Sequence, residues 1–330
     1  MRIPYKGLAA VGAAAAGAAA VNAAIGRRAG SMRSVIGGHE RIYNWRLGKI
    51  FYAVAGSGEP ILFVHGIGAG ASSFEWRRNF EPLADSFTVY AIDLLGFGLS
   101  DKPDVAYSPS IYAQLIADFI LDVIGRPADV AASSHGAAYA ILAAERHRLI
   151  ISRLLLSCPT GIGVADKRRP MSFVLSAALR LPIFGQSVYY GLTSRPSIET
   201  YLKSQIYADP ASVTAEVVDH YYTASHQPGA DRPIRAFVAG HLNVSVRKEF
   251  AALSQPVALV WGEQAKIAPV DAAKCFLEVN PQARLEVLDH SAQLPHEERA
   301  EAYNELARDV FARPPEGATV PPHKHTVGYE

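Results

Sequence analysis

Residues 129–137 read DVAASSHGA, a short apolar run that gives way to two serines, a histidine and a glycine. Within it, Ala132-Ser133-Ser134-His135-Gly136 follows the pattern small-x-nucleophile-x-small, the mark of a sharp strand-to-helix turn whose outer positions tolerate almost no side chain. Such a turn lifts its central oxygen above a sheet, which makes Ser134 a candidate nucleophile. The plainer reading is that a small residue simply suits the turn. One match of this kind is common in Ser-rich loops, so its weight comes from what flanks it.

Outward from the turn, apolar runs bounded by turn residues alternate with longer helical patterns. RIYNWRLGKIFYAVAG (41–56) reads as a hairpin, and PILFVHG, FTVYAIDLLG, ADVAASS, SRLLLSCP, QPVALVWG and ARLEVLD read as strands buried on both faces. Helices are expected near 74–84, 110–124, 136–147, 269–279 and 297–312. This alternation predicts an α/β fold, a mostly parallel twisted sheet with helices on both faces and a site at the carboxyl ends of its strands. From 161 to 245 no strand pattern appears, only helical pieces punctuated by Pro170, Pro182, Pro196, Pro210 and Pro228. That stretch reads as an inserted helical cap (lid) over a core made of 31–160 and 246–312. The run Lys167-Arg168-Arg169 within it reads as a solvated loop.

With 330 residues and 49% hydrophobic side chains, the chain can bury a full globular core. Lys and Arg number 32 against 31 Asp and Glu, a net charge of +1, so no long-range field gathers nucleic acid. A small apolar ligand or ester is the expected partner. Cys158 and Cys275 sit among apolar neighbours and form no disulfide framework. No metal site, phosphate loop or dinucleotide fingerprint is present, and no cofactor is implied. The Pro-rich tail 313–330 reads as disordered, with His323 and His325 as solvated filler. Residues 1–30 are Ala-rich, and 7–26 run about 20 residues without a charge between Arg2 and Lys6 on one side and Arg27 and Arg28 on the other. Alanine and glycine give this segment little transfer energy. Three readings stay open: a membrane anchor, a cleaved signal, or a bland tail on a cytoplasmic protein.

FVHGIG (63–68) ends one strand with glycines that leave backbone N–H groups free, and AIDLLGFGLSDKP (91–103) ends the next. Together with the turn at Ser134, these segments make the chain resemble the α/β-hydrolase superfamily in its lidded esterase and lipase-like branch, over about residues 42–312. The resemblance implies an α/β-hydrolase fold and an oxyanion hole formed by the backbone N–H groups of Ile67 and His135. It implies a structural part for His65, and for Asp93 and Ser100 a part in holding the loop after the next strand. It also exposes two departures. The family's acid follows a Trp-Gly-x-x-Asp-x-x-x-Pro pattern, and here WGEQAKIAP puts Ala265 at the acid's position. Its histidine lies in Gly-His-x-Pro-His-x-Glu, and here AQLPHEE puts Gln293 at the base's position, with Pro295, His296 and Glu298 fixing the alignment. The triad is incomplete.

The loss is chemically specific, because a neutral serine needs a positioned base and the base an orienting acid. Glutamine neither takes nor returns a proton near neutral pH. His290, His241 and His226 are the candidate substitute bases. The sequence therefore favours a diverged pseudohydrolase that binds a small apolar ester- or acyl-like ligand in a capped pocket, with triad hydrolysis lost or very slow. Two rivals remain: a carboxylic-ester or lipid hydrolase with a base recruited from elsewhere, and a non-catalytic binding protein associated with a membrane through residues 7–26.

Overall fold

The computed structural model describes residues 5–312, with side chains from residue 15 onward; the tail with His323 and His325 lies outside the described residues. Eight strands form one sheet in the order β1-β2-β4-β3-β5-β6-β7-β8. They are β1 (His39–Trp45), β2 (Gly48–Gly56), β3 (Pro60–Val64), β4 (Thr88–Ile92), β5 (Ala128–Ser133), β6 (Ile151–Ser157), β7 (Val257–Gly262) and β8 (Arg284–Leu288). β1 and β2 form the expected hairpin, β2 also pairs antiparallel with β4, and every other pairing is parallel. Val64 stands beside both Ile92 and Ala132, and Ser133 beside Ser157. This register brings the carboxyl ends of β3, β4, β5 and β6 to one level, where a shared site can form.

Alternate residues along the central strands feed two cores. The chain opens with α1 (Tyr5–Arg28), and α2 (Phe80–Ala84) lies between β3 and β4; Leu62, Val64, Val130, Ala132, Leu154 and Leu156 pack on one face with α3 (Pro109–Phe119) and α4 (Ser134–Arg146). Ile61, Phe63, Ala131 and Leu155 face the other way, against Phe80 and Leu83 of α2 and the C-terminal helix. β3, β5 and β7 are buried throughout, as their unbroken apolar runs require. β8 departs from that expectation: only Leu288 is buried, because the strand is the edge of the sheet with a single neighbour.

Between β6 and β7 the described chain holds no strand. It holds α5 (Phe173–Leu179), α6 (Phe184–Leu192), α7 (Arg195–Tyr201), α8 (Ala215–Ser225) and α9 (Asp231–Val238), with short 3-10 and π turns. Prolines cut it into these short pieces: Pro182 precedes α6, and Pro196 occupies the first turn of α7, where no N–H partner is lost. The remaining helices, α10 (Arg247–Ala251), α11 (Ala272–Val279), α12 (Pro295–Glu298) and α13 (Ala300–Ala312), return to the sheet.

The N-terminal segment is helical. α1 is 24 residues long, yet among the described residues no helix is long and apolar enough to cross a membrane. The C-terminal half of α1 is tied to α6: the Asn22 amide donates to the Ile183 carbonyl at 3.0 Å and its oxygen accepts from Ser187 Oγ at 3.0 Å.

The sharpest packing constraint lies where β5 becomes α4. A Cβ built at Gly136 would stand 2.3 Å from the His65 carbonyl oxygen, a distance that two non-bonded atoms do not sustain. Gly136→Ala is expected to cost about 1–3 kcal/mol or more of stability, the range of overpacked sites, read from the urea midpoint.

Candidate active site

Ser134 is the first residue of α4 and has φ 51°, a left-handed conformation that a non-glycine residue adopts only when its surroundings hold it there. The strand runs extended to Ser133, and the turn lifts Ser134 to a half-buried position at the carboxyl edge of the sheet. The loop after β3 presses against it: a Cβ on Gly66 would lie 3.3 Å from Ser134 Cβ. His135 follows as the second residue of α4, so its N–H is one of the first four that find no acceptor within a helix. The Ile67 amide makes no hydrogen bond within the described residues. The two amides that the sequence singled out thus have their donors unspent among the described residues.

Around them the scaffold is closely specified. Asp93 accepts from the Ser73 and Leu99 amides at 2.7 Å each, and Ser100 Oγ donates to the Asp93 carbonyl while accepting from the Phe51 amide at 2.9 Å. His65 is fully buried, its Nε2 accepting from the Leu94 amide at 2.9 Å and its Nδ1 donating to the Gly66 carbonyl at 2.6 Å. Burial pulls its pKa below the usual histidine value, against the pull of Asp93. Both ring nitrogens are committed to backbone, so His65 braces the loop.

Ala265 and Gln293 are both buried. The Gln293 Oε1 accepts from the Ala268 amide at 3.2 Å, so its side chain reaches the loop that carries Ala265. Its Nε2 is buried without a partner. The segment is anchored on either side: the Gln293 amide donates to the Ile206 carbonyl at 3.0 Å, and Glu298 accepts from the Ala292 and Ala208 amides at 2.7 Å each. The Ser134 hydroxyl, by contrast, makes no hydrogen bond within the described residues.

None of the candidate substitute bases is joined to Ser134. His290 is exposed, with φ 49°. His241 is exposed and lines a groove with Tyr107, Arg180 and Arg232. His226 is buried between the rings of Tyr190 and Tyr222, with centroids at 4.6 and 4.0 Å, and its Nδ1 donates to the Tyr222 carbonyl at 2.8 Å. His135 turns its ring away to Asn243 Oδ1, 3.1 Å off, and burial lowers its pKa to about 4.

One histidine escaped the sequence reading. His220 of α8 stacks on Phe74 at 3.8 Å and places Nε2 2.8 Å from Ser72 Oγ, above the loop after β3. Burial and the nearby Arg77 charge hold its pKa down at about 3. The spacing of Val217, Tyr221 and Ala224 marks the apolar face of α8, and His220 adjoins that face; this was the available signal.

Behind the turn lies a buried polar cluster. Glu75 Oε1 accepts from the Gly66 amide at 3.1 Å and stands 3.8 Å from His296 Nε2. Burial raises the Glu75 pKa to about 8, against the Gly66 hydrogen bond and with help from Glu297. Burial and Arg77 lower that of His296, which stacks on Trp76 at 4.0 Å, to about 3. Near neutral pH both groups are uncharged, so their proximity is not an ion pair. Glu297 accepts from Arg77 and from the Tyr207 hydroxyl at 2.5 Å each.

Residues 61–306 match the family model described as "Alpha/beta hydrolase family". The 2-hydroxymuconate semialdehyde hydrolase of Pseudomonas sp. strain CF600 is 25% identical over 267 residues, covering 78% of this chain and 88% of the relative. The dihydrolipoyllysine-residue acetyltransferase component of an acetoin cleaving system in Cupriavidus necator is 26% identical over 267 residues, covering 79% and 66%. Among solved structures, a meta-cleavage product hydrolase from Pseudomonas fluorescens IP01 superposes with a TM-score of 0.68 at 22% identity, over 82% of this chain and 97% of that one. An esterase from Thermogutta terrifontis gives 0.66 at 18%, over 82% and 97%. At such identities the structural likeness speaks for the fold.

The state of Glu75 is testable through stability. A carboxyl whose folded pKa lies above its unfolded value binds its proton more tightly when folded, so its stabilisation is complete below the unfolded pKa and is lost as pH rises toward the folded one. From about pH 5 to pH 8, native protein should lose on the order of 3–5 kcal/mol relative to Glu75→Gln, whose neutral amide keeps an acceptor for Gly66. Urea unfolding of both proteins across that range checks it, and the histidine contributions cancel in the difference.

Proposed function

The chain belongs to the alpha/beta hydrolase family, and from that premise we propose that it binds a small apolar ester- or acyl-like carbonyl compound at Ser134 without turning it over by a serine relay. One observation carries the reading: Gln293, which stands at the base position by the family resemblance as Ala265 does at the acid position, is buried with its oxygen spent on the Ala268 amide. Ser134 has nothing to take its proton, because no histidine of the described chain hydrogen-bonds it.

What remains suits carbonyl recognition. The amides of Ile67 and His135 are the donors that would meet the carbonyl oxygen, each typically worth a few kcal/mol where negative charge develops. The Ser134 hydroxyl and the unpartnered Gln293 Nε2 add two further donors. A buried amide N–H without an acceptor costs about 1–3 kcal/mol in the empty protein, and a ligand oxygen would recover that cost. The hydrolases among the relatives act on carbonyl substrates by their names, and this chain retains the part of such a site that holds a carbonyl. Without a base and its acid, residual hydrolysis is limited to about 10³ to 10⁴ over water, the share left to an oxyanion hole and binding.

Treatment with a fluorophosphonate, read by intact mass, tests the proposal. Native protein should stay unlabelled on a time scale that saturates a working serine hydrolase. Ala265→Asp combined with Gln293→His should become labelled, and adding Ser134→Ala should remove that label. Stoichiometric labelling of native protein that Ser134→Ala abolishes would sink the proposal and establish a base recruited from another part of the chain.

A further inference from the structure

The described surface carries one concentration of large apolar side chains in water, and it is remote in role from the carbonyl site. On and beside α5 and α6, Phe173 and Val174 are 80% and 81% exposed, Met171 66% and Leu181 53%, and Phe184 is also exposed. Isolated exposed apolar residues are ordinary, but a run of this kind is not. The helices that bear them are fixed, not loose: α5 and α6 approach so closely that a Cβ on Gly185 would meet the Leu179 carbonyl oxygen at 2.3 Å. The Asn22 hydrogen bonds to Ile183 and Ser187 lay the second half of α1 alongside the same edge, adding exposed Ala19, Ala20 and Val21 to it.

Charge says what would cover this edge. Residues 1–38 contain five basic residues and no acid, and residues 160–198 contain five basic residues and one acid, Asp166. The whole chain balances to +1, so the rest of the protein is net negative and the positive charge is gathered on the two segments that form the apolar edge. Arg27, Arg28, Arg168, Arg169 and Arg180 are all exposed. Exposed apolar side chains on segments rich in arginine, with no helix among the described residues long and apolar enough to span, are the composition of a monotopic contact with an anionic bilayer. A protein partner for so basic a rim would need a matching acidic face, and a second copy of this chain would bring like charge to like.

We propose that the edge formed by α1, α5 and α6 docks on an anionic lipid surface, with Phe173 and Val174 inserted at the headgroup boundary and the surrounding arginines on lipid phosphates. The protein lies on the bilayer and does not cross it.

Cosedimentation of the full chain with vesicles supplies the test, using phosphatidylcholine alone or mixed with phosphatidylglycerol. Binding should require phosphatidylglycerol, weaken with salt and be reversed by alkaline carbonate. Phe173→Ser with Val174→Ser should weaken it by about tenfold or more. So should Arg168→Ser with Arg169→Ser, which changes no buried group, and unchanged thermal unfolding would verify that both variants are folded. Carbonate-resistant binding that ignores both pairs of substitutions would overturn the proposal and assign attachment to α1 as a span. Absence of vesicle binding would overturn it as well, and a dimer that Phe173→Ser with Val174→Ser dissociates would assign the edge to a second copy.

Discussion

The contact between the His65 carbonyl and Gly136 is the constraint from which the site follows. It joins the loop after β3 to the turn after β5, and it can form only because position 136 has no side chain. Once those two loops touch, Ser134 is held in a left-handed conformation beside Gly66, and the Ile67 and His135 amides stand with their hydrogens unspent. The neighbouring groups serve the same end: Asp93 and His65 tie the adjoining loops through backbone hydrogen bonds, and Glu75 holds the Gly66 amide from below. A site of this kind is a property of backbone placement, and it survives side-chain losses that would end a relay.

The fold was legible in the sequence because its signals are local. Strands buried on both faces must be continuously apolar, so β3, β5 and β7 could be read from composition alone, and the hairpin from its alternation. Where the environment differs from the pattern, the reading missed. β8 looks like its partners in sequence but lies at the edge, a fact of strand order that no local window contains.

The candidate site was legible in part for a different reason. The turn at Ser134 was legible from the small residues around it, and positions 265 and 293 were singled out only through the resemblance, by the surrounding Trp-Gly, Pro and Pro-His-x-Glu residues. His220 was not found, since its position over Phe74 and Ser72 depends on how α8 comes to lie against the sheet. Nor could the sequence give the state of Glu75. A carboxyl in a stretch such as SSFEW reads as an ordinary surface charge, and only its enclosure beside Glu297 pushes its pKa to about 8.

If positions 265 and 293 are the acid and base positions that the resemblance implies, they form one chemical unit, and their joint replacement matters more than either alone. A histidine at 293 facing Ala265 would be an imidazole in a buried site with nothing to orient it; burial would hold it neutral, as it does His296 and His220 at about 3, and it would be a poor base near pH 7. An aspartate at 265 facing Gln293 would be a carboxylate buried without a cation, paying a desolvation cost of several kcal/mol. Alanine with glutamine avoids both penalties: the acid's place is filled by a methyl group, and the amide oxygen of Gln293 satisfies the Ala268 N–H. On the proposed reading, the pair is therefore a stable resting point for this scaffold, and a return to relay chemistry from it would require both changes at once.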